Sequence, residues 1–105
     1  MMDKKKFPEI VKNSILQIEP NADVILYGSR AREDNSEESD WDFLICVDGE
    51  VDPQRVDKIR RRIYDVEWET GQVLCSIVRA KSDWNSEQYK AMPFYKNVAK
   101  EGIFI

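Results

Sequence analysis

The chain has 105 residues, of which 42% are hydrophobic and 34% charged, and its formal net charge is −4. This length and composition predict one folded domain, and they exclude a disordered chain and a second, substrate-gripping domain. The acidic balance argues against stable nucleic-acid binding, and no apolar run approaches the roughly 18 residues that span a membrane. Residues 1–6 lack the apolar segment of a signal peptide, so we expect a cytoplasmic protein.

Apolar periodicity, with Pro and Gly as boundaries, predicts helices packed on a small central sheet of three to four strands, an α/β or α+β fold. Asp52 is the expected N-cap of the longest helix, and Gly71 is expected to end it. In chain order, the elements are a helix over 7–18, a strand over 22–27, one helical turn over 29–32, an acidic loop over 33–39, a strand over 41–47, a helix over 53–69, a strand over 73–78, a helix from Ser82 or Asp83 to 91, and a helix over 93–102.

The absence of histidine limits the chemistry that the chain can perform. It excludes Ser-His-Asp triads and histidine-ligated zinc, so a general base or metal ligand is expected to be a carboxylate. Cys46 and Cys75 lie in apolar segments and are expected to be buried, reduced thiols, with a disulfide or a metal site as the alternative. Trp41, Trp68 and Trp84 are expected in the core rather than as platforms for stacking bases.

Residues 26–47 begin with a strand that runs into a Gly-Ser turn and a short helix. Gly28 permits a sharp turn and the close approach of a ligand, and N–H groups at a helix start attract phosphate oxygens. The Ser29 hydroxyl can donate another hydrogen bond, and Arg30 or Arg32 can neutralise phosphate charge. Taken alone, this junction is a weak signal, because a strand that runs into Gly-Ser and a helix is more often a plain structural turn.

Asp40 and Asp42 bracket Trp41 at the start of an otherwise apolar strand. Side chains two residues apart in a strand project to the same side, about 6–7 Å apart. Two like charges so placed repel each other unless a cation lies between them, and hard cations such as Mg²⁺ prefer carboxylate oxygens. The alternative is a pair of solvated acids at a strand end.

Gly28-Ser29, ten intervening residues and the Asp40-Trp41-Asp42 triplet, with a buried strand on each side, together resemble the signature of the DNA polymerase β-type nucleotidyltransferase superfamily. Within it, the chain is most similar to the minimal nucleotidyltransferases (MNT) of prokaryotic MNT–HEPN toxin–antitoxin pairs. The tail over 93–102 also resembles the final helix of these proteins. The resemblance implies a polymerase β-like fold and a single minimal nucleotidyltransferase domain over 1–105.

The resemblance also implies roles for individual residues. Asp40 and Asp42 would be the catalytic residues and the ligands of Mg²⁺ or Mn²⁺. The nucleoside triphosphate, ATP in the first place, would bind to four residues: Gly28, Ser29, Arg30 and Arg32.

One departure from the family pattern concerns its usual third carboxylate, on the strand that follows the Asp pair. The predicted strand over 73–78 contains no acid, and Cys75 or Ser76 takes the position. Glu69, Glu67 or a partner protein could supply the missing acid, and we expect a site with two carboxylates. Activity is therefore expected to be weak unless a partner completes the site.

Three functions follow from the resemblance. The first is metal-dependent transfer of AMP to a hydroxyl of a partner protein or RNA, with a tyrosine of a HEPN toxin as the target. The second is a catalytically weak nucleotide-binding module that neutralises a HEPN partner by direct binding. The third, a polynucleotide-tailing subunit, is disfavoured because the chain has no room for an acceptor-binding domain. The sequence does not determine the oligomeric state, and an oligomer is compatible with it.

Overall fold

The computed structural model describes residues 6–36 and 38–105. The predictions on residues 1–5 and on Glu37 of the acidic loop lie outside the described residues. The elements are, in chain order, α1 (Phe7–Leu16), β1 (Asp23–Tyr27), α2 (Ser29–Arg32), β2 (Trp41–Val47), α3 (Pro53–Thr70), β3 (Leu74–Ala80), α4 (Lys81–Trp84), α5 (Glu87–Lys90), α6 (Pro93–Glu101) and β4 (Ile103–Phe104).

The strands form one mixed sheet in the order β3-β2-β1-β4. Strand β1 is antiparallel to both β2 and β4, whereas β2 and β3 are parallel. Helices α1 and α3 cover one face, and α4 to α6 contribute to a second core on the other face. The mixed sheet flanked by helices confirms the predicted fold class.

Strand β2 is buried on both faces, which explains its almost unbroken apolar sequence. Trp41, Phe43 and the following alternate residues pack against α1 and α3. Leu44 and Cys46 point to the opposite face, where they pack with Trp84 and Val98. The same alternation places Asp42 on this second face, at the end of β2 that adjoins the Gly28 turn.

Both predicted boundaries of α3 are confirmed. The Asp52 side chain accepts a hydrogen bond from Arg55 N at 2.7 Å, a cap that contributes about 1 kcal/mol, and Gly71 follows the last helical residue. Within residues 6–36 and 38–105, no helix combines the length and the apolar composition needed to cross a membrane.

The predicted single helix up to residue 91 is wrong, because the chain forms two short helices there. Helix α4 begins at Lys81, so neither Ser82 nor Asp83 caps it. The Ser86 hydroxyl accepts a hydrogen bond from Tyr89 N at 3.2 Å and starts α5. The sequence pattern also missed the two-residue strand β4.

The prediction for the tryptophans is confirmed at two positions and wrong at the third. Trp41 and Trp84 are buried, but Trp68 is 83% exposed. The buried stripe of α3 passes through Ile63 and Val66. Trp68 lies about 200° around the helix from Val66, so its ring points away from the sheet.

Candidate active site

The Gly28 turn lies directly against the carboxylate of Asp42. Tyr27, the last residue of β1, is paired with Asp42 in the sheet, so the turn leaves β1 beside this side chain. Gly28 has φ 79°, and a Cβ added to it would lie 2.5 Å from Asp42 Oδ2. Only glycine fits here without displacing the carboxylate. The predicted phosphate turn and the predicted metal ligands therefore lie together.

Helix α2 starts immediately after the turn. Ala31 N and Arg32 N donate to Gly28 O at 3.0 and 3.1 Å, which closes the first helical turn. Ser29 and Arg30 occupy the first two helical positions, whose N–H groups have no acceptor within a helix. These backbone donors begin at the residue that follows the Asp42 contact, so they suit a ligand with phosphate oxygens.

Asp40 and Asp42 interact electrostatically, as the sequence predicted. Asp42 is partly buried and Asp40 is exposed. Burial raises the pKa of Asp42, the charge of Asp40 raises it further, and Arg32 acts in the opposite direction. A divalent cation would relieve the repulsion between the two carboxylates, so this pair fits a metal. Among residues 6–36 and 38–105, no group of three or more His, Cys, Asp or Glu side chains is arranged to hold a metal ion.

Cys75 occupies the position beside the Asp pair. It is the register partner of Asp42 in the parallel pairing of β2 and β3, and its Sγ lies 3.7 Å from Asp40 Oδ2. The thiol is exposed, so the prediction of a buried Cys75 is wrong. The reason is that β3 is an edge strand whose first residues border the site. Cys46 is buried as predicted, and burial raises its pKa to about 11.

Both arginines of α2 are held by neighbouring groups. Arg30 donates to Ser39 O from Nε at 3.2 Å and from Nη2 at 2.9 Å, and its guanidinium lies 4.4 Å from the centre of the Trp41 ring. It thus contacts the residues on both sides of Asp40 and fixes the start of β2. Arg32 donates from Nε to Asp34 Oδ2 at 3.0 Å. The direct binding of phosphate by these two side chains remains a prediction.

A family model for the nucleotidyltransferase domain matches residues 8–103. The chain belongs to the nucleotidyltransferase domain family. The match spans the turn, the Asp pair and Cys75, and it confirms the superfamily that the sequence motif resembles. Among curated proteins, no sequence matches the chain. The MNT–HEPN relationship remains a prediction.

The remaining candidates for a third acid of the nucleotidyltransferase site lie on α3. Glu67 Oε2 accepts a hydrogen bond from Leu74 N at 3.0 Å, so this carboxylate caps the start of β3. Glu69 is exposed. Helix α3 packs on the face of the sheet opposite Asp42, so its glutamates do not lie beside that carboxylate. The residue paired with Asp42 on β3 is Cys75.

One contact of the Gly28 turn was missed at the sequence level. Glu101, at the end of α6, accepts a hydrogen bond from Gly28 N at 3.3 Å. No local pattern marks Glu101, because the contact joins the turn after β1 to the last helix. Tyr27, which precedes the turn, packs edge-on against Phe94, and burial, followed by the charge of Asp42, raises the pKa of its hydroxyl to about 12.

Proposed function

We propose that this domain transfers AMP from ATP, with Mg²⁺ or Mn²⁺, to a hydroxyl group of a partner protein or RNA. The contact between the Gly28 turn and Asp42 carries this proposal. The turn would bind the phosphate chain and the Asp pair would hold a metal ion next to it, which is the juxtaposition that nucleotidyl transfer requires.

Each part of the site has its own task in this reaction. Ser29, through its N–H and hydroxyl groups, binds the terminal phosphates. Asp40 and Asp42 would hold the metal ion, which would supply positive charge to the phosphates. Arg30 holds the backbone on both sides of Asp40, so the carboxylate positions do not have to reorganise when the nucleotide binds.

The transfer itself is a displacement at the α-phosphorus. The acceptor oxygen forms a bond to phosphorus while the bond to the pyrophosphate oxygen breaks. The acceptor proton leaves to water or to a base, and the positioned group beside the Asp pair is the Cys75 thiol. Burial and the neighbouring carboxylates raise the pKa of this thiol, so it is a poor base at neutral pH.

The acceptor that we propose is a tyrosine of a HEPN toxin, in a cytoplasmic toxin–antitoxin pair. The resemblance of the Gly-Ser and Asp-Trp-Asp motifs to MNT antitoxins supports this partner. The acidic balance of the chain favours a protein acceptor over a stably bound nucleic acid.

Cys75 favours a second function, a nucleotide-binding module with little catalytic activity. A site that lacks a positioned acid loses about 10²–10⁴-fold in rate. Such a protein would bind ATP and metal at the same residues but would neutralise its HEPN partner by contact.

The two functions are separated by incubation with ATP labelled in the α-phosphate, Mg²⁺ and the product of the neighbouring gene, which this proposal expects to be a HEPN protein. Transfer predicts label on the partner, at a tyrosine identified by mass spectrometry, and loss of labelling in Asp40→Asn. The binding module predicts a stable complex that forms equally well with Asp40→Asn, without label. If the experiment yields neither a labelled partner nor a stable complex, both functions are contradicted.

A further inference from the structure

The carboxylate of Glu101 joins the C-terminal end of the domain to the nucleotide turn. Its Oε1 accepts from Gly28 N at 3.3 Å, and both oxygens accept from Arg32 Nη1 at 3.0 Å. The Glu101 side chain is 24% exposed, so these contacts are partly shielded from water. One carboxylate thus contacts the first residue of the turn and a predicted phosphate-binding cation.

We propose that Glu101 is a positioning residue of the nucleotide site, which fixes the backbone of Gly28 and the direction of the Arg32 guanidinium. The inference rests on the proposed nucleotide binding and names a residue that sets its strength. Glu101 acts on the nucleotide through these two residues.

The first task of Glu101 concerns the backbone. The turn leaves β1 with a positive φ at Gly28, a residue with little conformational preference of its own. The hydrogen bond to Glu101 gives the Gly28 N–H a charged acceptor and limits rotation of the turn. The direction of the Ser29 N–H group depends on the peptide plane that follows, so fixing Gly28 also aims the donors at the start of α2.

The second task concerns Arg32. Its guanidinium is held by Asp34 on one side and by Glu101 on the other. An arginine side chain loses rotamer freedom when it is ordered, and the two carboxylate partners take up part of that loss before the nucleotide arrives. The guanidinium keeps further N–H donors for a phosphate oxygen, because a guanidinium has five.

The anchor of Glu101 is rigid because the chain around it is closely packed. A Cβ at Gly102 would lie 2.5 Å from Val98 O and 2.9 Å from Ile25 Cγ2, so the backbone passes directly over β1. Ile103, the first residue of β4, then pairs with Leu26 of β1. The position of Glu101 is thereby tied to the same strand that carries the turn.

The test compares Glu101→Gln and Glu101→Ala by calorimetry with Mn²⁺-ATP and with AMP. Loss of a residue that orients ligands typically weakens binding by about 10–100-fold, and we expect this for Mn²⁺-ATP with Glu101→Ala. Glu101→Gln keeps an acceptor for Gly28 N but loses the charge on Arg32, so we expect a smaller loss. AMP lacks the terminal phosphates, so its affinity should change little. The ratio of the two affinities is the readout that a general loss of stability would not alter.

Glu50→Gln is the matched control, because this exposed glutamate follows the opposite end of β2. Thermal unfolding in parallel establishes that each variant is folded. An unchanged ATP-to-AMP ratio in folded Glu101→Gln and Glu101→Ala would overturn the proposal, and so would tighter ATP binding, which would make Glu101 a competing anion. If the wild type itself bound no Mn²⁺-ATP, the proposed function would fail together with this inference. If the wild type bound it and the variants matched it, only the inference would fail.

Discussion

The two ends of β2 differ in how the charged side chains around them are paired. Beyond its C-terminal end, charges of opposite sign are paired: Arg55 Nη2 lies 2.6 Å from Glu19 Oε1, and Lys81 Nζ lies 3.3 Å from Asp48 Oδ1. At its N-terminal end, two carboxylates of the same sign share one side of the strand, and the pKa of Asp42 is raised.

The difference separates charges that stabilise the fold from charges that are available for function. The Arg55 guanidinium also donates to Asp48 O and Glu50 O, so its hydrogen bonds and its charge are used by neighbouring residues of the fold. The Asp pair instead costs stability, because burial and repulsion disfavour the charged form of Asp42. A bound cation would remove the repulsion between the two carboxylates, and the free energy so released would favour binding of the cation.

The largest expected effect comes from adding an acid to the N-terminal end. Cys75→Asp places a carboxylate opposite Asp42, and we expect the rate of AMP transfer to rise by about 10²–10⁴-fold. Without metal, a third like charge should lower the melting temperature, and Mn²⁺ should restore it. The rate is measured with ATP labelled in the α-phosphate and the proposed HEPN partner.

Ser76→Asp is the control for that substitution. Ser76 is paired with Phe43, whose side chain faces the core on the other side of the sheet, so its acid cannot join the Asp pair. We expect a destabilised protein with no gain in rate. Rapid transfer by the wild type that Glu69→Gln abolishes would contradict the role given to position 75.

The next effect comes from removing a charge at the same end. Asp42→Asn should weaken Mn²⁺-ATP binding by about 100-fold or more, because a direct ligand contributes more than the orienting contacts whose loss costs about 10–100-fold. The melting temperature without metal should not fall, since the charged form of Asp42 is disfavoured in the folded protein. Calorimetry and thermal unfolding measure the two quantities, with the exposed Asp65→Asn as control. Equal heats for wild type and Asp42→Asn would refute the metal site.

A substitution in the turn tests whether the site requires close approach. Gly28→Val would direct a Cβ into Asp42 Oδ2, and we expect at least about a tenfold loss of ATP affinity with retained secondary structure. Gly71→Val is the matched control, because Gly71 has a similar φ of 73° but no atom within 4 Å of the added Cβ. Gly71→Val should lose about 1–2 kcal/mol of stability, because Gly71 is in the left-handed helical region. Gly28→Val should lose more, about 1–3 kcal/mol for the backbone plus the displacement of Asp42, because its φ of 79° and ψ of −160° lie in a region that only glycine readily adopts. Only Gly28→Val should lose the nucleotide, and undiminished affinity there would make the turn purely structural.

The smallest expected effect comes from breaking an ion pair beyond the C-terminal end of β2. The hydrogen bonds and charge of Arg55 lower the pKa of Glu19, so the folded state gains stability when Glu19 is ionised. Glu19→Gln should reduce the free energy of unfolding by about 1 kcal/mol at pH 7. The deficit should shrink as the pH falls below the ordinary range of a glutamate carboxyl and through the lowered pKa of Glu19 in the folded protein. Urea unfolding at several pH values measures this, and a deficit that does not change with pH would contradict the assignment. ATP binding should be unaffected.

What the sequence could predict is set by the distance over which each signal acts. The Asp pair and the Gly28 turn were predictable, because strand alternation and turn geometry depend on neighbouring residues. Cys75 was misplaced because its exposure depends on β3 being an edge strand, which no local pattern reveals. Trp68 could have been placed correctly, since it lies off the helical stripe that ends at Val66.

The contacts of the last helix were beyond local reasoning. Glu101 meets Gly28 only after the chain has crossed the sheet and returned, and a two-residue strand such as β4 has no periodicity to detect. The pattern of Gly28, Ser29 and the Asp pair therefore predicted that the turn and the carboxylates lie together. It did not predict what holds the site in place.

The pairing of β4 with β1 has a consequence for how the protein is made. Ile25 and Leu26 form their outer hydrogen bonds with Phe104 and Ile103, so β1 remains an edge strand until the final residues described here have been synthesised. Closing so long a loop is entropically costly and slow compared with helix formation. During translation, the growing chain thus carries its Gly-Ser turn and Asp pair long before Glu101 arrives to hold them. The pairing of β4 with β1 and the contacts of Glu101 with the turn should therefore form together, in one late step of folding.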